Sequence, residues 1–469
     1  MSSFMQSAFA LLWISETILD MGSALMSFAL GVWIFQRTGS PEQFAGAILA
    51  AAVPATLVTP FAGTLADRLD RRWVIVGCDA VLATMVAALA FIVFQDRLTV
   101  HILYGFNVIG AIVASIRTPA YRASVSVIVP KDRLTQASGL IGVTQNLLQI
   151  VAPLLAGYLM GLCGLKGIVI VDIAMVTLGA AAIFSALTRV TKAGLGVGNT
   201  EDLSVMKSIV VSACSALDYF RMVPLMTGVA IYALLQESLL IMVTTMITPL
   251  VLSTKPSTTL GLILTCGAFG GLAGSGLLLL LRIDKRLMAW ALILDAALSI
   301  FVLLFGFTSV TALWCIYAFG GLFAGSASAG CVSALWMRKT PKTRRGSIFA
   351  SIQSLNLLAV SVVLLAGGYL SQHVFEPALS IGGTWAPSIG AWLGTGKGKG
   401  LAFMFILCGA ASCLVSLVAL AQKQLRHLDD LVPDEGEVPE RERISINAPG
   451  PVSPTWLQPI PEHLVPEKN

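Results

Sequence analysis

Charge is almost missing from this chain. Where it occurs, it comes in short clusters separated by apolar runs of about twenty residues, the length of a membrane-spanning helix. Only 12% of the 469 residues are charged, about half the share usual in soluble domains. Lipid is therefore the main solvent, and backbone groups in lipid must be satisfied within helices or closed barrels. Twelve apolar segments can be read as helices: 8–35, 42–66, 73–95, 99–121, 134–161 and 164–189, then 223–252, 258–281, 287–307, 309–337, 346–371 and 400–422. Polar breaks such as TGSPEQ, DRLDRR, STKPS and KTPKTRR separate them.

The net charge of +5 would suggest nucleic acid in a soluble protein. Here Lys and Arg sit in short loops and report orientation instead. Roughly 24 fall on one side with both termini, while roughly six (Arg37, Arg97, Lys166, Lys255, Lys397 and Lys399) fall on the other. Positive residues stay in the cytoplasm, so both ends are expected inside a multi-pass cell (inner) membrane protein. The eight Cys have no metal-ligand spacing and read as small apolar residues. MSSFMQSAF lacks the basic region of a cleavable signal.

The organisation expected is a six-helix bundle over 1–190, a cytoplasmic linker over 191–222, a second bundle over 223–422 and a disordered cytoplasmic tail over 423–469. In the linker Leu203, Met206, Val210, Ala213, Leu217 and Phe220 recur at helical spacing, as in an amphipathic surface helix. The outer stretch 372–399 is too rich in Gly to span.

The halves echo each other. DRLDRR (Asp67–Arg72) aligns with LRIDKR (Leu281–Arg286) at an offset of 214, and PKDR (Pro130–Arg133) with PKTR (Pro341–Arg344) at 211. TGSPEQFAGAIL resembles TKPSTTLGLIL at a similar offset. Such matches argue for a parallel repeat. The cluster Gly63-x-Leu65-Ala66-Asp67-Arg68-x-Asp70-Arg71-Arg72 resembles the loop between the second and third helices of the major facilitator superfamily, with Asp70 where that family usually has Gly. With FALGVWIFQRTGS, RTPAY and VFEP it resembles the branch of macrolide efflux proteins and the enterobactin exporter. The resemblance implies an all-α membrane protein of twelve transmembrane helices, built as two pseudo-symmetric six-helix bundles that work by alternating access. It assigns Gly63, Asp67, Arg68, Asp70, Arg71 and Arg72 to a gating latch. Asp67 would bind the positive N-terminal end of the eleventh helix, near Arg344–Gly346, and Gly63 would let helices approach closely.

Charges within lipid are costly and default to functional roles. Glu16 and Asp20 share one face of the first span with Ser23 and Ser27, and the seventh span carries Gln236 and Glu237. Glu16, Asp20 and Glu237 are candidate proton-coupling or substrate residues, with interhelical glue as the alternative. Asp79 and Asp295, near the cytoplasmic ends, can be explained by pairing with loop Arg, and Asp172 has no evident role. The resemblance implies a cavity that holds Tyr104, Asn107, Gln145, Asn146, Gln149, Tyr232, Gln236, Trp314, Tyr317, Gln353 and Asn356. Amides and aromatics with few charges suit an amphiphile rather than a sugar phosphate.

Neither a nucleophile–base pair, a metal cluster nor a phosphate loop points to an enzyme. No cofactor and no metal is expected. The expected activity is proton-coupled efflux by a monomeric antiporter. Its small-molecule cargo would be a macrolide or other drug, a siderophore or a peptide metabolite. Partners would be that cargo, protons and membrane lipids, with no nucleic acid. A lysophospholipid or lipid translocator and a non-transporting membrane sensor or scaffold remain as alternatives.

Overall fold

The computed structural model describes residues 3–68, 70–129, 134–190, 220–221, 223–281, 286–340 and 345–432. The linker helix expected over 203–221 lies outside these residues apart from its last two, as does the tail from 433 onward. Among the described residues, eleven continuous helices are long and apolar enough to cross a bilayer. One of them, Leu134–Val190, contains a break at Gly164 with φ 62° and ψ −167°. Positive φ is costly for residues with a side chain, so Gly is what lets the chain turn back there. The two arms serve as separate spans, residues 134–163 (α5) and 165–190 (α6). Twelve spans result.

The others are α1 (Ser3–Thr38), α2 (Pro41–Arg68), α3 (Arg71–Phe94), α4 (Val100–Ile128), α7 (Pro224–Leu252), α8 (Ser257–Leu281), α9 (Leu287–Phe307), α10 (Thr311–Lys339), α11 (Arg345–Leu370) and α12 (Lys399–Ala421). Helix starts in the two halves repeat at one spacing: α2 and α8, like α3 and α9, begin 216 residues apart. Packing repeats too. α2 lies on α4 as α8 lies on α10, and α3 lies on α4 as α9 lies on α10. The run GAFGGLAGSG in α8 serves this packing. A Cβ on Gly270 or Gly274 would collide with the carbonyl oxygen of Phe319 or Phe323 on α10.

Two segments are more ordered than composition suggests. The outer stretch folds into short helical turns, with Leu379 and Leu393 buried against Ile406 of α12. Glu376 there accepts hydrogen bonds from the backbone N–H groups of Gly398 and Leu401, capping α12. The first ten residues of the expected disordered tail also fold: Lys423–Arg426 and Leu428–Leu431 are helical. Leu425, Leu428 and Val432 insert beside Met226, Leu287 and Trp336. Asp429 accepts from the Met288 N–H at the start of α9, and Lys339 donates to the carbonyls of Asp429 and Val432. Buried leucines outweigh the polar composition there.

The halves meet at the end of the molecule that carries the α1–α2, α5–α6, α7–α8 and α11–α12 connections. α5 and α8 touch backbone to backbone at two glycines: a Cβ on Gly261 would lie 2.5 Å from the Pro153 carbonyl oxygen, and one on Gly157 2.8 Å from that of Ser257. Thr265 donates to the Ile150 carbonyl at 3.0 Å. α2 meets α11 where Gly368 rests on Glu42 and Ala45. Ser40 bonds Gln372, and His373 lies 3.0 Å from the Glu42 carboxylate. Toward the opposite end the same faces part. Val143 on α5 and Phe269 on α8, which continue the touching stripes, are 65% and 53% exposed. Val53 and Leu57 on α2 are likewise exposed. A cleft thus lies between the bundles, pinched at one end and open at the other.

Gly261→Leu will wedge α5 from α8 and open the pinched end. A cysteine placed at buried Thr265 should then react with a membrane-impermeant maleimide at least severalfold faster than in the Gly261 background; unchanged labelling would show that the glycine contact does not hold the closure.

Candidate functional site

Arg117 is the centre of the first half. It lies on α4, eleven residues from that helix's end, and is 6% exposed. A buried guanidinium needs carboxylate partners, and two other helices supply them. Its Nη1 donates to Glu16 Oε1 on α1 at 2.8 Å, and Nη2 lies 2.8 Å from the other Glu16 oxygen as an ion pair. Its Nε donates to Asp79 Oδ1 on α3 at 2.6 Å. Asp20, one turn along α1 from Glu16, is half-buried and within electrostatic range of both Glu16 and Arg117. Tyr121, one turn beyond Arg117, is buried with its hydroxyl unpartnered among the described residues. Three carboxylates thus surround one cation in a low-dielectric interior.

The second half keeps the positions and changes the chemistry. At the offset of 216, Glu16, Asp20 and Asp79 correspond to Tyr232, Gln236 and Asp295. At 211, the offset of the later loops, Arg117 corresponds to Ser328. These residues also meet. Tyr232 donates to Asp295 Oδ2 at 2.7 Å, and Ser328, beside Asp295, donates to the Ala291 carbonyl at 3.3 Å. α12 completes the set: Gln236 donates to Ser416 and accepts from Ser412, both at 2.8 Å. Ser299 and Ser412 lie 2.6 Å apart. The result is a hydrogen-bonded cluster without a cation.

Several expected site residues therefore change role. Asp79 pairs with Arg117 from within the bundle, not with a loop Arg. Asp295 bonds Tyr232. Tyr232 and Gln236, buried between α7, α9 and α12, do not line the cleft. Trp314 is 1% exposed, stacked on Phe305 and bonded to its carbonyl. Its expected place in the cavity gives way to the core, because an indole so enclosed bonds its N–H locally. Tyr104 donates to the Gln43 carbonyl and Asn107 to that of Ala47, so both tie α4 to α2. Asn356 is buried.

Other residues stand where a cleft ligand could reach them. Gln145, Asn146 and Gln149 are exposed on α5, beyond the Ile150 contact toward the open end. Glu237 is exposed on α7, one turn before Ile241, which packs on Leu49 and Val360 between the halves. Tyr317 lines an apolar cavity of the second bundle. Asp172, on α6, is 2% exposed, its Oδ1 unpartnered and packed against Gly22 of α1. Asp70 is half-buried; the side chains of Gln353, Gly63, Asp67, Arg68, Arg71 and Arg72 lie outside those described, and with them most of the latch. The seven described cysteines are free thiols.

The residue missed by sequence reasoning is Arg117. A tally of positive loop residues absorbs it, although it lies inside the apolar segment 99–121. A charge within that run, and its alignment in the repeat with the acids, are the available signals.

The family model described as Major Facilitator Superfamily matches residues 12–364. The chain belongs to the major facilitator superfamily. It is a multi-pass membrane protein of that family. Among curated relatives, Macrolide efflux protein A of Streptococcus pyogenes is 29% identical over 188 residues, 40% of this chain and 45% of that protein. The protein of the same name from Enterococcus faecalis is 30% identical over 144 residues, 30% of this chain and 43% of its own length. The chain thus spans less than half the length of these relatives. A solved point mutant of the nucleoside transporter NupG superposes with TM-score 0.65 at 14% identity, covering 88% of this chain and 99% of that one. A bacterial homologue of the human lysosomal transporter Spinster, in an inward-facing and unoccupied conformation, gives 0.61 at 14% identity, covering 91% and 97%. At that identity the two structures share the fold.

Replacing Arg117 with Met leaves two buried carboxylates without their cation. Removing one partner of a buried pair costs about 3–5 kcal/mol, so the Arg117→Met protein should unfold at a clearly lower temperature in detergent. Arg117→Met combined with Glu16→Gln and Asp79→Asn should recover part of the loss; recovery is read by the thermal midpoint of the purified proteins.

Proposed function

We propose that this superfamily member is a proton-coupled exporter of amphiphilic small molecules that works by alternating access. Both termini would lie in the cytoplasm and the pinched end would face outward, the orientation the Lys and Arg distribution favours. The observation that carries the reading is the Arg117 cluster: three carboxylates on α1 and α3 around one guanidinium. Excess negative charge in a low-dielectric site is relieved by taking up a proton. Glu16 and Arg117 belong to different helices, so a shift of α1 against α4 changes what the carboxylates can bind. Protonation and helix position are then linked, as coupling requires.

Asp20 is the proton carrier best suited to this arrangement. Glu16 and Asp79 each have a direct bond to Arg117, whereas Asp20 has none. Glu237 and the exposed amides of α5 face the cleft and serve the cargo. The resemblance to macrolide efflux proteins favours drugs or natural products of that size, with siderophores and peptide metabolites as further members of the class. A pinched outer end and an open inner end correspond to the state that receives cargo from the cytoplasm. The latch residues Gly63 to Arg72 would close the inner end in the opposite state.

In proteoliposomes, Asp20→Asn should abolish macrolide efflux driven by an imposed pH gradient while leaving equilibrium macrolide binding within about threefold of wild type. Gradient-driven efflux that persists in Asp20→Asn removes Asp20 from the coupling step. Flux of lysophospholipid instead of macrolide, independent of the gradient, would favour lipid translocation.

A further inference from the structure

The second bundle holds an apolar cavity of about 150 Å³ between α7 and the wall formed by α8, α9 and α10. A cavity of that size lined by aliphatic and aromatic side chains accepts a benzene-sized group. Leu240, Thr244, Leu298, Phe301, Gly321 and Phe405 are among its lining residues. Three residues before Leu240, about 4.5 Å along the helix axis, stands Glu237. It is exposed, lies on the same stripe of α7 as Leu240 and Thr244, and has no ion-pair partner among the described residues. Neither the cavity nor this juxtaposition follows from the charged cluster in the first bundle.

We propose that Glu237 and this cavity form one binding subsite for an organic cation: the carboxylate takes the ammonium or phosphonium centre and the cavity takes one ring or branched alkyl group beside it. The assignment rests on the exporter reading and names the chemistry of its cargo. A carboxylate next to an apolar chamber discriminates by sign of charge, because a desolvated anion there meets only repulsion. Tyr317 and Phe301, ring centroids 6.5 Å apart, add aromatic faces to the wall of the chamber. The cavity admits part of a large cargo, leaving the remainder in the cleft where Asn146 and Gln149 are exposed.

The test uses two probes of nearly the same shape and opposite charge, tetraphenylphosphonium and tetraphenylborate, titrated by calorimetry into the purified protein without a proton gradient. The wild type should bind the phosphonium at least about tenfold more tightly. Glu237→Gln should erase that preference by weakening the cation alone. Gly321→Leu should weaken both probes by about tenfold, because it fills the chamber. Gly321→Ala guards against a folding defect: its Cβ would rest 3.5 Å from Leu298 Cδ1 and 3.6 Å from Phe301 Cβ, ordinary contact distances, and should weaken both probes by a few-fold. No charge preference in the wild type, or unchanged phosphonium affinity in both Gly321 variants, overturns the subsite. Because binding is read without a gradient, a protein that shows the expected pattern yet fails to export refutes the exporter reading and supports the subsite.

Discussion

The buried ion pair between Arg117 and Glu16 is the interaction around which the first bundle is organised. A guanidinium inside a helix that crosses lipid is tolerated only with anionic partners at hydrogen-bond distance. Those partners come from α1 and α3, so the ion pairs fix how three helices sit against one another. The surrounding residues allow little alternative: Leu12, Ile75, Tyr121 and Val125 fill the space beside the charges. A buried pair of this sort contributes little net stability over an apolar replacement. Its value is specificity of arrangement, together with a proton equilibrium that no apolar core could provide.

The internal repeat sharpens that point. Positions that carry Glu, Asp and Arg in the first half carry Tyr, Gln and Ser in the second, and Asp79 alone is kept, as Asp295. Tyr232 replaces a carboxylate acceptor by a hydroxyl donor, which satisfies Asp295 without a cation. The backbone scaffold and the polar register survive while the charge is lost. Two bundles of one design are thereby differentiated: one holds three carboxylates around a guanidinium, the other a network of hydroxyls and an amide around the single carboxylate Asp295, with an apolar chamber beside it. Under the exporter reading proposed above, coupling would fall to the first bundle and cargo to the second.

Most of the fold was legible because lipid imposes so few solutions. Apolar run length, the breaks between runs and the offsets of 211 to 214 marked most helix ends to within a few residues, including the return at Gly164, although α4 runs on to Ile128, seven residues past its expected end. The site was less legible. Side-chain partners depend on rotation about each helix axis, and a helix with few polar residues gives weak information on that rotation. Tyr232 and Gln236 were expected in a cavity because of their polarity; they are instead bonded to Ser416 and Asp295 inside the bundle. Arg117 was obscured by being counted as a loop charge. The folded start of the tail was hidden by composition, since Leu425, Leu428 and Val432 are few but well placed.

The closure contacts bear on how such a protein can move. At the pinched end the halves meet backbone to backbone at Gly157, Gly261 and Gly368. Val32, Ala45 and Leu49 of the first half add apolar contacts with α7 and α11. Four side chains, Ser40, Glu42, Gln372 and His373, add polar bonds that water can replace when the end opens. Within each bundle, by contrast, the ion pairs of Arg117 and the network of Gln236 are buried and would be costly to break. The weak link therefore lies between the bundles, and the strong ones lie within them. In the alternating-access reading proposed above, the glycine contacts would be the closure that opens, and the ion pairs of Arg117 would stay intact inside one bundle.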